Sequence, residues 1–287
     1  MRDKHPNRTS LLSRRELVSF AVAGVVTNAG RLSAAESATQ NLADAPPKFP
    51  DATTTGVPAG TVLTDSGSIT TTVSGQVISA KNITNGSVTI DHNDCILEKS
   101  KVKGGAFFTV NVKQGVTGTI VRDCEIDSNG VGGSCGINGT GTFLRNNIHD
   151  CENGINLNGP GPNVIEDNYI HDLRAGGAPH FDGIQIDGGV NKTVIRHNTV
   201  LNPANQVSAV MIDNFWGAID DILVENTYLA GGVFTVYCSA QFRTDAPVTN
   251  VRFVSNRMGK GTGGYTAFTK TRPVWQRNYD AVTGRPI

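Results

Sequence analysis

The chain has 287 residues, 38% hydrophobic and only 6% aromatic, with 33 glycines and a formal net charge of zero. That length allows one large or two small domains. Beyond residue 35 the balance is 19 Lys/Arg against 23 Asp/Glu, a net of −4, which offers no general field for nucleic acid or an anionic membrane. No apolar run reaches the roughly 18 residues of a membrane span, so neither a nucleic-acid partner nor a membrane span is expected.

The N-terminus reads as an address. Ser13-Arg14-Arg15-Glu16-Leu17-Val18 precedes the apolar, small-residue stretch at 18–26, and Ser33-Ala34-Ala35 offers a cleavage site. This pattern resembles a bacterial twin-arginine signal, so residues 1–35 are expected to be a signal peptide and the protein to be exported to the periplasm or beyond. Residues 36–60 are rich in Pro, Thr and Ala and read as a linker or N-terminal extension. Residues 61–287 are then the domain that carries the fold.

Five cysteines, at 95, 124, 135, 151 and 238, follow along that domain. An oxidising destination permits disulfides, but the odd count leaves at least one thiol unpaired within the chain. The spacings match no zinc motif, and most of the five read as small buried residues of the core.

A phrase ending in Asn and an apolar pair recurs as FLRNNIHD, IEDNYIHD, IRHNTVLN, LVENTYLA and FVSNRMGK. Counted on Asn146, Asn168, Asn198, Asn226 and Asn256, the steps are 22, 30, 28 and 30 residues. A repeat of that period is one supersecondary unit that stacks on its neighbours to bury its apolar face. GINGTG precedes the first of these phrases, and GINLNG, GIQIDGG, AVMIDNF and FTVYCSA lie between them, alternating with period two as strands with one buried face. No segment after residue 40 has a helical period. The stacked Asn residues read as scaffold, because side-chain amides satisfy one another and buried turn backbone, and Asn tolerates left-handed turns. Ile155/Leu157, Ile184/Ile186, Val210/Ile212 and Phe234/Val236 are expected as core layers. Trp275 and Tyr279, after the last coil, are expected to cover the open end as a C-terminal cap.

This pattern resembles the right-handed parallel β-helix of the pectate-lyase-like superfamily over about residues 60–270. The entry segment FPDATTTGVPAGTVLTDSGSITTT and the phrase HFDGIQIDGG are similar to those of secreted bacterial β-helix proteins, the latter as an HxDGIQ phrase. The resemblance implies an all-β, single-stranded parallel solenoid with coils of about 22–30 residues. It also implies a polysaccharide partner. It carries over no catalytic set: the GHG and RIK elements of polygalacturonases and the RxPxxR element of pectate lyases are missing, and Asp220-Asp221 falls in a connecting segment.

Alternation turns the remaining strand residues outward in two columns, Asn156, Gln185, Met211, Thr235 and Asn158, Asp187, Asp213, Tyr237. Asp187 and Asp213 thereby fall on adjacent coils about 4.8 Å apart. His180 and Asp182 lie just before the same strand, in the loop LRAGGAPHFDG, and Phe215-Trp216 follow Asp213. The candidate catalytic residues are His180, Asp182, Asp187 and Asp213. The candidate substrate contacts are Asn156, Asn158, Gln185, Trp216, Tyr237, Lys192 and Arg243.

Three chemistries compete for this face. Asp187 and Asp213 suit Ca²⁺, which takes oxygen ligands. It would neutralise a uronate carboxylate while His180, Lys192 or Arg243 removes the C5 proton, the elimination that the resemblance implies and the reading put first. Alternatively the carboxyl pair hydrolyses the bond, with a spacing of about 5–5.5 Å for retention, or about 6.5–9.5 Å across the Asp182–Asp213 diagonal for inversion. In the third reading the face only binds glycan. Against all three stands turn chemistry, since Asp before Gly or Asn at a strand end is common. His149, His171 and His197 read as turn residues, and Arg243 and Arg272 also fit solvated surface charge.

Overall fold

The computed structural model describes residues 48–105 and 107–287. The expected signal peptide and the first part of the expected linker lie outside the described residues. Strands without helices make up the described chain, in three parallel sheets of ten, nine and nine strands. We call these sheet 1 (from Thr64–Ser66 to Tyr279–Asp280), sheet 2 (from Ile69–Thr70 to Gly264–Thr269) and sheet 3 (from Val77–Ser79 to Val274–Gln276). The chain visits them in rotation, so each strand pairs with its counterpart one coil away. This is the parallel solenoid expected from the repeat.

The core is three apolar ladders, one per sheet. In sheet 1, Ile126, Ile148, Ile170, Val200, Leu229 and Met258 follow one another in register. In sheet 3 the ladder runs Leu97, Val121, Phe143, Ile165, Ile195, Val224, Phe253 and Trp275. In sheet 2 it runs Val110, Ile137, Ile155, Ile184, Val210 and Val236. Burying each such side chain contributes about 1.5–3 kcal/mol. All five cysteines are buried and unpaired, as small core residues.

The Asn phrase is scaffold, in a sharper form than expected. Asn146, Asn168, Asn198, Asn256 and Asn278 are fully or almost fully buried. The Asn146 amide donates to the Val121 carbonyl and to Asn168 Oδ1, each at 2.9 Å, and the Asn168 amide donates to the Phe143 carbonyl and to Asn198 Oδ1 at 2.9 and 3.0 Å. The left-handed turn residue is the one before the ladder. Asp123, Arg145, Asp167, His197, Asn226, Ser255 and Arg277 all have φ between 42° and 58°.

Asn226 therefore belongs to the turn column, which corrects its expected place. Thr227 takes the ladder position: its N–H donates to Asn256 Oδ1 at 3.0 Å and its hydroxyl accepts the Asn198 N–H at 3.4 Å. The reason is a one-residue shift, since Val224 pairs with Ile195 and Phe253.

A second correction falls in sheet 2. Val236 pairs with Val210, and Cys238 with Ile212. The core pair of that coil is therefore Val236/Cys238, not Phe234/Val236. A slip of two residues keeps inside and outside unchanged, so the apolar pattern cannot detect it.

At the C-terminal end Trp275 packs on Phe253 and Phe268, with centroids 5.6 and 5.7 Å away, and its indole N–H donates to the Ile287 carbonyl at 2.7 Å. Residues 48–60, within the expected linker, lie against the solenoid. Phe49 stacks on His197 at 5.6 Å, and the Gly56 N–H donates to the Arg145 carbonyl at 2.9 Å.

Candidate functional site

The outer face of sheet 2 collects most of the chosen residues. The strands Asn153–Leu157, Asp182–Ile186, Ser208–Asp213 and Phe234–Ser239 are successive neighbours. One outward column reads Asn111, Asn138, Asn156, Gln185, Met211 and Tyr237. Because Leu157, Ile186 and Ile212 pair in turn, the next position gives Asn158, Asp187 and Asp213, continued by Ser239. Tyr237 thus stands beside Met211, not beside Asp213, and Thr235 is buried two residues earlier, level with Ala209. The adjacency of Asp187 and Asp213 is as expected.

Both carboxyls are recessed, at 7% and 1% exposure. Asp213 Oδ1 accepts the Phe215 N–H at 2.9 Å, so one of its oxygens holds the turn that leaves the strand. That turn crosses the neighbouring coil, where the Trp216 N–H donates to the Asp187 carbonyl at 2.6 Å. Trp216 is 66% exposed and its ring packs edge-on against Phe215, which packs on Phe242. The result is an aromatic wall at one end of the carboxyl column. Asn214 fixes the facing loop, donating to the carbonyls of Arg243 and Ala246 and accepting the Phe242 N–H.

The other edge of the face is built by Asp182. A Cβ added to Gly183 would lie 2.2 Å from Val200 Cγ1, so position 183 turns inward and Asp182 outward. Gly136, Gly154, Gly183 and Ala209 occupy this position on successive coils, where sheet 2 closes on sheet 1 and only a small side chain fits. Asp182 is buried, receives the Ser208 hydroxyl at 3.2 Å, and its N–H donates to Asn153 Oδ1 at 3.2 Å. Burial pushes the Tyr237 phenol up to about 12, with the negative charge of Asp182 adding to the effect.

The amide column is itself linked. Asn138 donates to Asn111 Oδ1 at 2.9 Å, and Asn156 and Asn158 donate to Asn138 Oδ1 at 3.1 and 3.2 Å. Gln185, 2% exposed, has an amide nitrogen with no acceptor among the described residues, a donor directed onto the same face. No Lys or Arg stands in either outward column of these strands.

Some candidates lie elsewhere. Lys192 is an exposed left-handed bulge on sheet 3, in one column with Asp221 and Asn250. Arg243 sits in the loop near Phe242, but its guanidinium is held by Asp245 at 2.7 and 3.0 Å. Asp220 and Asp221 are on sheet 3, bound to Thr249, Asn250 and Arg252. His149 ends a strand of sheet 1 rather than making a turn. The residue not foreseen is Glu152, 4% exposed, whose carboxylate accepts the Gly133 N–H at 2.6 Å and the His180 N–H at 3.2 Å. It anchors the loop carrying His180. It stands just before the strand Asn153–Leu157, where no repeated phrase marks it.

A parallel solenoid with a carboxyl- and amide-lined outer face defines the class. The chain belongs to the right handed beta helix region family, whose model matches residues 60–229. It is similar to the crystal structure of the Agl-KA catalytic domain, with 14% identity and a TM-score of 0.47 over 71% of this chain and 46% of that one. It is also similar to the alginate lyase from Paenibacillus sp. str. FPU-7, with 13% identity and a TM-score of 0.39 over 71% of this chain and 76% of that one. The chain spans less than half the length of the Agl-KA structure. Neither likeness bears on the reaction. No curated protein matches this chain.

Proposed function

We propose that this protein cleaves a polysaccharide laid across the coils on the outer face of sheet 2, with Asp187 and Asp213 as the reacting pair. The carrying observation is their placement one residue after the paired Ile186 and Ile212 on adjacent coils, both recessed, with the exposed Trp216 tied to Asp187 through its backbone N–H. Trp216 stacks on a sugar ring, and the amides of Gln185, Asn156 and Asn158 bind hydroxyls.

Hydrolysis is the reaction this arrangement supports best. Two carboxyls this close repel when both are ionised, the condition under which one retains a proton to donate. That carboxyl protonates the glycosidic oxygen while the other attacks the anomeric carbon. Water then releases the sugar from the resulting ester. Coils about 4.8 Å apart can supply the roughly 5–5.5 Å carboxyl spacing of retaining enzymes.

Elimination remains the second reading, favoured by the hard oxygen donors of Asp187, Asp213 and Gln185. These suit Ca²⁺, which would supply neutralisation of a substrate carboxylate. His180 is then the base, since Lys192 lies on sheet 3 and Arg243 is engaged with Asp245. Action outside the cytoplasm rests on the twin-arginine pattern at 13–18.

A glycan panel with and without EDTA tests the proposal. New reducing ends without absorbance near 235 nm mean hydrolysis. Absorbance that EDTA abolishes means metal-dependent elimination. Binding without cleavage across the panel leaves a glycan-binding module and overturns the enzymatic reading.

A further inference from the structure

A second cleft, of about 610 Å³, opens where sheet 3 turns into sheet 1, on residues that take no part in the sheet-2 face. Its lining includes Lys48, Phe49, His197, Asn226, Ser255, Arg257 and Tyr279. His197, Asn226 and Ser255 are successive members of the left-handed turn column, so the cleft runs across three coils. None of its lining residues is acidic. Two carboxylates beside lining residues are engaged, Asp167 with His197 Nδ1 at 2.5 Å and Asp280 with the Tyr265 hydroxyl and the Thr283 N–H, while Glu225 ends the sheet-3 strand just before Asn226.

The donors of this cleft are available. His197 is a wall rather than a donor, since its Nε2 meets the Lys48 carbonyl at 2.7 Å and its ring stacks on Phe49. Arg122, Arg145, Arg196 and Arg252 are each paired with a carboxylate of a neighbouring coil. Arg257 instead lies over the Tyr279 ring at 4.8 Å, with no carboxylate partner among the described residues. The Lys48 ammonium and the Asn226 amide are likewise without a side-chain partner among them.

We propose that this cleft binds a carboxylate-bearing sugar unit of a glycan. Lys48 and Arg257 meet the carboxylate, and the Phe49 and Tyr279 rings pack against the apolar face of the sugar. Asn226 and Ser255 hydrogen-bond its hydroxyls. The volume is in the range of small-ligand sites. The open, half-exposed walls suit one unit of a continuing polymer better than an engulfed small molecule. The inference stands whether or not the sheet-2 face cleaves.

The test is calorimetric titration of the full chain carrying Asp187→Asn and Asp213→Asn, so that the probe is not consumed. An oligogalacturonate and a neutral glucose oligomer of the same length are compared, with inorganic phosphate as competitor. The acidic oligomer binds, more weakly as salt rises. Arg257→Gln and Lys48→Gln each weaken it about tenfold, on the scale of losing a charge-assisted contact at a partly exposed site, and Arg257→Lys recovers part of the loss. Unchanged thermal unfolding of Lys48→Gln, on an exposed side chain, separates lost binding from lost fold. Equal binding of the neutral oligomer, full competition by phosphate, or wild-type affinity in both Gln variants overturns the proposal.

Discussion

Asp187 stands beside Asp213 because Ile186 pairs with Ile212 in the core, one residue earlier on adjacent coils. The catalytic proposal therefore hangs on the packing of two isoleucines. Asp213 also caps the turn at Phe215. Asp213→Asn keeps that acceptor, whereas Asp213→Ala loses it. We expect the Ala variant to be about 1 kcal/mol or more less stable than the Asn variant in denaturant unfolding, the usual scale of a lost buried hydrogen bond.

The Asn ladder and its turn column respond oppositely to substitution. Asn256→Ala removes an amide that donates to the Val224 carbonyl and to Asn278 Oδ1, each at 2.9 Å, and accepts the Thr227 N–H. Leaving those buried groups unpaired costs about 3 kcal/mol or more. Asn226→Gly, at an exposed residue with φ of 42°, stays within about 0.5 kcal/mol of wild type. Equilibrium unfolding of both variants checks the reassignment of position 226.

Gly183→Val places side-chain atoms where Val200 Cγ1 and the Ala209 carbonyl lie 2.2 and 2.6 Å from a Cβ. Sheet 2 must then move away from sheet 1, at a cost of about 1–3 kcal/mol. Thermal unfolding measures the loss. Gly189→Ala is not an equivalent control, because it carries a positive φ of 69°. Gly176→Ala, with open space around the added methyl, is.

Alkaline pH should destabilise the protein before it damages the backbone. Burial pushes the thiols of Cys124, Cys135 and Cys238 up to about 12 and, with help from Asp182, the Tyr237 phenol to about 12. Unfolded, these groups ionise near 8.5 and 10. Folded values above unfolded ones mean a contribution fully present below about pH 8.5 and lost as pH climbs toward 12. The denaturant midpoint should fall over that window. At pH 8 an aqueous thiol reagent should find none of the five buried cysteines in the native protein and all five after unfolding.

The repeat phrase and the period-two strands were enough to read the solenoid, the core ladders and the adjacency of Asp187 and Asp213. What escaped reading has physical causes. In LVENTYLA the Asn falls one residue early and Thr227 substitutes for it, so the letter and the ladder separate. In FTVYCSA two registers bury equally apolar residues, and only the pairing of Cys238 with Ile212 decides between them. Lys192 is only five residues beyond Asp187, but the chain has already entered sheet 3 at Val190. Glu152 carries no repeat signal, and its partners Gly133 and His180 are distant in sequence.

The most direct measurement is the rate of glycosidic-bond cleavage by Asp187→Asn and Asp213→Asn on the substrate that the glycan panel selects, with folding verified by unfolding midpoints. Loss of a positioned acid, base or nucleophile should lower each rate about 10²-fold or more. Wild-type rates in both folded variants would contradict the assignment of the reaction to this carboxyl pair.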